Sequence, residues 1–426
     1  MEIIREATDS PDPASGRAPK RRRPVVLFGT SLAVFVVLLF ALELIGRLAV
    51  WLCEIPTEFT PEPFQGFGQT DPVLWWVLQP DLDIESQGVR VCTNGSGFRD
   101  ARDTLAGDAL RVFCLGDSTT FGWRVQAEEM YTARTEELLY EKLRRPVAVV
   151  SAGVPGYTSY QIELQFREKI LPHRPNVLCV LVGNNESRAR TMGDRERGQK
   201  LARKQALHRL LGFSHFWVLI SRGPESLRRG WELDAPPGRV ANSPSEYREN
   251  LQELIQLARD HGVRVVLMTV PLRLRFEPTW KTFDGPTDAV AALLLQAQQA
   301  RFAGESLERQ AKLLEDAVRI EPKQFTGHWR LAQLYLELGR NEEAEGQFQL
   351  ASDGDLHPET AKPSYNRILE ELSTTEAVPL LDLHGRFADS GLPDNQLFFD
   401  HCHPTPAGHQ IIAEALAEQL IRLLAE

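Results

Sequence analysis

The stretch LRVFCLGDSTTFG, Leu110 to Gly122, decides the fold. Its first seven residues form a short apolar run, too brief for a helix and bounded by Gly116-Asp117, which predicts a buried strand followed by an abrupt turn. The same rhythm continues outward. Strand-like runs recur at Val147 to Ala152, Val177 to Val182, Arg264 to Val270 and Val378 to Leu383. Helical spacing fills the intervals at Glu128 to Leu143, Ser159 to Ile170 and Ser245 to His261. A last helix is set up by Thr405-Pro406, an N-cap followed by proline at the first helical position. Strands alternating with helices imply a parallel sheet covered on both faces.

The chain of 426 residues suggests two to three folding units. Its 42% hydrophobic and 25% charged residues are ordinary for a globular protein and exclude a multi-pass membrane architecture. A net charge of −10 argues against nucleic acid as the main partner. Five cysteines without a CxxC pair exclude a disulfide scaffold and a structural zinc site.

Two regions fall outside the alternating rhythm at the start of the chain. Residues 1–24 are polar and close on Lys20-Arg21-Arg22-Arg23, which reads as a disordered tail. Val25 to Leu42 then carry no charge over 18 residues, and the segment 25–53 reads as an uncleaved transmembrane anchor, with Arg47 and Trp51 at its far interface. The basic cluster places the N-terminus in the cytoplasm and the remainder in the periplasm or outside the cell. Residues 54–92, rich in proline, glycine and aromatics, read as a juxtamembrane linker and lead-in hairpin.

Two further stretches interrupt the strand-helix alternation. Ser187 to Arg209 holds eight basic residues against two acidic ones: a solvated segment, or a lid for an anionic polymer or membrane surface, with GFSHFWVLI (Gly212 to Ile220) packing it onto the core. In residues 286–357, Leu331, Ala332, Tyr335, Gly339, Ala344, Phe348 and Ala351 fall at the spacing of a tetratricopeptide repeat. This insert is all-helical, and either packs on the main domain or binds a protein partner.

Four segments carry chemistry. GDSTTFG (Gly116 to Gly122), SAGVPGY (Ser151 to Tyr157) and GNNE (Gly183 to Glu186) leave the carboxyl ends of successive strands, where open parallel sheets bind ligands. DHCHP (Asp400 to Pro404) precedes the last helix. A serine hydroxyl is a weak nucleophile without a base. Ser118 supplies the hydroxyl, His403 the base, and Asp400, three residues earlier, the acceptor that fixes the imidazole tautomer. The amides of Ser118 and Gly153 and the side chain of Asn185 would form an oxyanion hole. His401 and His409 read as surface residues, Cys402 has no base of its own, and Cys114 and Cys179 lie in buried strands.

Together these segments resemble the SGNH (GDSL-like) serine hydrolases, over residues 94 to 183, 243 to 271 and 378 to 424. The four name-giving residues match Ser118, Gly153, Asn185 and His403; the family spacing G-x-N selects Asn185 over Asn184. TNGSGFRD (Thr93 to Asp100) resembles a stretch common before the first strand in the family. Glu186 stands where Asp is usual, and Thr119 where Leu or Phe is usual. The resemblance implies a flavodoxin-like three-layer α/β/α fold with a five-stranded parallel sheet, in two parts, 93–285 and 358–426, around the insert. It implies ester hydrolysis through an acyl-enzyme, with no metal or cofactor. The same site would serve an O-acyltransferase acting on a cell-envelope polysaccharide. A third reading is an inactive scaffold that binds a protein through the insert.

Overall fold

The computed structural model describes residues 24–52, 66–100, 102, 109–211, 213–217, 239–275, 285–355, 358 and 360–425. The tail before Pro24, most of the segment following the first helix, and His357 lie outside the described residues. The chain divides into two compact units, residues 1–58 with 207–227, and residues 59–206 with 228–426.

In the first unit an apolar helix of 29 residues runs from Pro24 to Leu52. Among the described residues it is the one helix long and apolar enough to cross a membrane. Its Glu43 is not spent on solvent. The carboxylate accepts hydrogen bonds from Ser214 Oγ (2.7 Å) and the His215 amide (2.9 Å), and pairs with Arg47 one turn on. Gly46 lets the backbone of Phe216 approach where any Cβ would collide with it. The part of GFSHFWVLI that is described therefore packs on this helix.

The second unit is built on five parallel strands. These are β5 (Leu110–Gly116), β6 (Val147–Ser151), β7 (Val177–Leu181), β8 (Arg264–Met268) and β9 (Leu380–Leu381), in the order β6-β5-β7-β8-β9. The first strand thus lies between the second and third, as expected for a flavodoxin-like sheet. The register sets Cys114 beside both Ser151 and Cys179. Alternation in β5 sends Val112 and Cys114 to one face and Phe113 and Leu115 to the other. The first face is covered by the helices Tyr131–Leu143 and Pro406–Ala425. Against the second lie the helices Ser159–Gln165, Pro244–Asp260 and Pro363–Thr375. All five strands of the rhythm are present, although the last is shorter than its apolar run because only Leu380 and Leu381 pair with β8.

The basic stretch forms the helix Asp194–Leu211. In the insert, four helices (Asp288–Phe302, Leu307–Ile320, Phe325–Glu337 and Asn341–Gly354) follow one another, each packed on the next. Leu331, Ala332, Tyr335, Ala344, Phe348 and Ala351 are all buried there, and Gly339 makes the turn with a φ of 73°.

Residues 66–92 fall in the stretch read as linker and lead-in hairpin. They form two antiparallel hairpins, β1 (Gly68–Asp71) with β2 (Trp75–Leu78) and β3 (Asp83–Ser86) with β4 (Val89–Cys92). Phe67, Leu74, Leu78 and Val91 share one buried cluster with Phe113 and Leu115 of the central strand. A hairpin was expected here; that there are two, and that they join the core, was hidden from periodicity by short strands and frequent turn residues. If the hairpins belong to the core, Phe67→Ala will cost about 3 kcal/mol of stability. Denaturant unfolding of the full chain in detergent reads this directly; a loss under about 0.5 kcal/mol, the value for a surface substitution, would return the hairpins to linker status.

Candidate active site

The turn after β5 is shaped by two close approaches. A Cβ on Gly116 would overlap the Leu181 carbonyl and the Thr120 side chain. One on Gly153 would overlap the backbone of Thr120 and Phe121. The first allows the strand to hand over to the four-residue helix Ser118–Phe121, and the second presses the loop after β6 against that helix. Asp117 caps the helix by accepting from the Thr119 amide at 2.9 Å. It is fully buried, and burial pushes its carboxyl above the usual range. Among the described residues the amides of Ser118 and Gly153 donate to nothing else.

Arg99, from TNGSGFRD, braces the far end of the same helix. Its buried guanidinium donates to the carbonyls of Phe121 and Gly122 (2.6 Å each) and of Val125 (2.8 Å). Burial lowers its pKa to about 10. The sequence marked this stretch as a resemblance and gave Arg99 no task; an arginine among turn carbonyls leaves no periodic signal.

The turn before the last helix is organised by Asp400. Its Oδ1 accepts the amides of Cys402 (3.0 Å) and His403 (2.9 Å), and its Oδ2 lies 2.8 Å from His403 Nδ1. Burial works against the charge, but the His403 imidazole and the two amides outweigh it and hold the Asp400 carboxyl far below the usual range. With the Nδ1 proton given to Asp400, Nε2 is left as an acceptor. It lies 2.8 Å from Ser118 Oγ, across 285 positions of sequence. The Trp123 indole stacks on the His403 ring, with centroids 5.8 Å apart and planes at 26°. Arg273, after β8, donates to the Asp400 carbonyl at 2.9 Å.

The loops after β6 and β7 are joined through Asn185, whose amide donates to the Tyr157 carbonyl at 2.9 Å. Its second contact, to Asp117 Oδ2, is long at 3.4 Å. Asn184 turns elsewhere, its oxygen accepting from the Ala361 amide at 3.2 Å. Sequence patterning missed Trp76, which holds this loop from the hairpin side. Its Nε1 donates to the Pro155 carbonyl (3.2 Å), and Tyr157 Oη donates to the Trp76 carbonyl.

His409, expected on the surface, is fully buried. Its Nδ1 accepts the Tyr131 amide at 3.0 Å, and burial lowers its pKa to about 3, so it is a neutral core residue. His401 is half-buried and Cys402 buried. Asp400, His401 and Cys402 form the one group of metal-type ligands among the described residues close enough for a single ion. The Asp400 carboxylate in it already accepts three N–H groups.

Residues 114–304 match the model of the GDSL-like Lipase/Acylhydrolase family. The chain carries a GDSL-like SGNH hydrolase domain. With that comes the reaction class, a hydrolase acting on ester bonds. The match ends inside the first helix-loop of the insert, before Asp400 and His403. No curated protein sequence matches the chain. Among solved structures, the likeness to LAE5, an alpha/beta hydrolase enzyme from the metagenome of Lake Arreo, Spain, has a TM-score of 0.37 at 15% identity, covering 74% of this chain and 94% of that one. For the acetylxylan esterase Axe2 from Geobacillus stearothermophilus the values are 0.37 at 13%, covering 74% and 95%. For TesA they are 0.36 at 13%, covering 73% and 97%. Likeness at this level bears no weight on function.

Behind the GDSL-like site lies a buried polar cluster. Glu186, next to Asn185, accepts from the Ser159 amide (2.7 Å) and from Asn242 Nδ2 (2.7 Å), and Asn242 also faces Asp194. Burial pushes Glu186 up to about 8, so it is protonated at neutral pH. A carboxyl whose folded pKa exceeds its unfolded one binds more protons in the native state. Stability then falls as pH rises from the unfolded value of 4.5 toward 8. Melting temperatures of the full chain at pH 5 and pH 8.5 should show this fall, at up to about 1.4 kcal/mol per pH unit, and Glu186→Gln should flatten it whatever its effect on absolute stability. An unchanged slope in the variant would contradict the assignment.

Proposed function

We propose that the protein is a membrane-anchored serine esterase. Ser118 attacks the ester carbonyl while His403 Nε2 takes its proton, and Asp400 keeps the imidazole in the tautomer that can do so. The oxyanion that forms is met by the amides of Ser118 and Gly153 and by Asn185. The N–H of Asn185 on its long leg toward Asp117 is the one offered, since the other is held by Tyr157. His403 then gives its proton to the departing alcohol. Water, activated by the same imidazole, releases the acid from Ser118 and restores the enzyme. The observation that carries this reading is the 2.8 Å separation of Ser118 Oγ and His403 Nε2, with His403 Nδ1 already bound to Asp400.

The same reading takes the helix Pro24–Leu52 as a single-span anchor. At 1.5 Å per residue, its 29 residues exceed the roughly 30 Å of a hydrocarbon core. The basic cluster before it sets the N-terminus in the cytoplasm and the hydrolase domain on the opposite side.

The test uses the full-length chain in detergent, a fluorophosphonate label and an aryl acetate. Wild type should label and hydrolyse. Ser118→Ala should do neither, and Asp400→Asn should lower kcat on the order of 10²- to 10⁴-fold with the fold retained by circular dichroism. A folded wild type that neither labels nor turns over the ester would end the proposal. Acid release insensitive to added polysaccharide would identify water as the acyl acceptor.

A further inference from the structure

The rim beside His403 carries a cation with no acidic partner among the described residues. Arg124 is exposed, and no carboxylate of the described residues lies within ion-pair distance of it, although Glu128 and Glu129 follow a few positions on. Its backbone is left-handed, with a φ of 64°, a conformation uncommon for a residue other than glycine. The turn bends so that the guanidinium lies over the Phe399 ring, 4.7 Å from its centroid. Phe399 immediately precedes Asp400, and its amide donates to the His403 carbonyl at 2.8 Å. On the other side of Arg124, Trp123 stacks on the His403 ring. Arg124 itself thus rests on the turn that carries Asp400 and His403 through Phe399, and its sequence neighbour Trp123 rests on the same turn through the His403 ring.

The geometry points to Arg124 as an anion subsite for the alcohol portion of the substrate. This rests on the esterase reading above. In that reading His403 protonates the departing alcohol, so the alcohol lies on the imidazole side of the scissile bond, toward the turn on which Arg124 rests. Trp123 and Phe399 supply apolar faces there, and the guanidinium supplies a fork for two oxygens of one anion. The substrate class is an ester whose alcohol bears a carboxylate or a phosphate. On a chain with a net charge of −10, a local cation is what allows such a substrate to approach.

Three aryl acetates that differ only opposite the ester test this: 4-acetoxybenzamide (neutral), 4-acetoxybenzoate and 4-acetoxyphenyl phosphate. Full-length wild type should prefer one or both anionic probes by kcat/KM, mainly through KM, and the preference should shrink between about 0.01 M and about 1 M salt as the screening length falls. Which anion is favoured separates carboxylate from phosphate. In Arg124→Glu the anionic-to-neutral ratio of kcat/KM should fall on the order of tenfold, and Arg124→Lys should restore much of it. Turnover of all three probes without charge preference, or a ratio unmoved in Arg124→Glu, would overturn the subsite alone. A wild type that turns over none of the probes overturns the esterase reading and the subsite together.

Discussion

Asp400 is the group on which the rest of the site depends. One carboxylate gathers the amides of Cys402 and His403 and the imidazole of His403 within a four-residue turn. Taking a charge partly out of water is costly unless hydrogen bonds replace the lost solvation. Here they do so, and the same bonds dictate which imidazole nitrogen carries the proton. Without Asp400 the turn would lose its inner acceptor and His403 its orientation toward Ser118. Arg273, donating to the carbonyl of the same residue, ties this turn to the loop after β8.

The opposite half of the site is held by backbone contact more than by charge. Gly153 is pressed on the helix Ser118–Phe121 where no side chain fits, Arg99 collects the carbonyls at the far end of that helix, and Trp76 grips the loop between Gly153 and Asn185. Three sequence-distant pieces thus fix the positions of two amides and one carboxamide. None of them needs to move for the proposed chemistry, which is how a preorganised oxyanion site lowers a barrier.

Much of this was legible in the sequence. Apolar runs of five to seven residues with glycine at their ends gave the strands, because a strand buried on both faces must be apolar throughout. The segments at Ser118, Gly153, Asn185 and His403 stood out because they follow strand ends or precede a helix. What stayed hidden has no period. Trp76 and Arg99 act through hydrogen bonds to carbonyls that only the folded chain brings near. Of the hairpins at residues 66–92 only one was expected, because their strands are too short for alternation to rise above the turn residues. His409 was misread because a histidine in a polar-looking stretch suggests solvent, whereas the Tyr131 amide offers it a donor inside the core.

The four-helix insert has a consequence for how the protein is made. It lies between β8 and the segment that carries His403, so Ser118 leaves the ribosome 285 residues ahead of the group that would activate it. Domains begin to fold during synthesis. Through most of translation the nascent chain therefore holds a serine with no base beside it, and in the proposed mechanism the hydroxyl would gain its reactivity only when the final stretch docks. On that mechanism chain order itself would check completeness: a product cut short within the insert would lack the base and be chemically inert toward the cell that makes it.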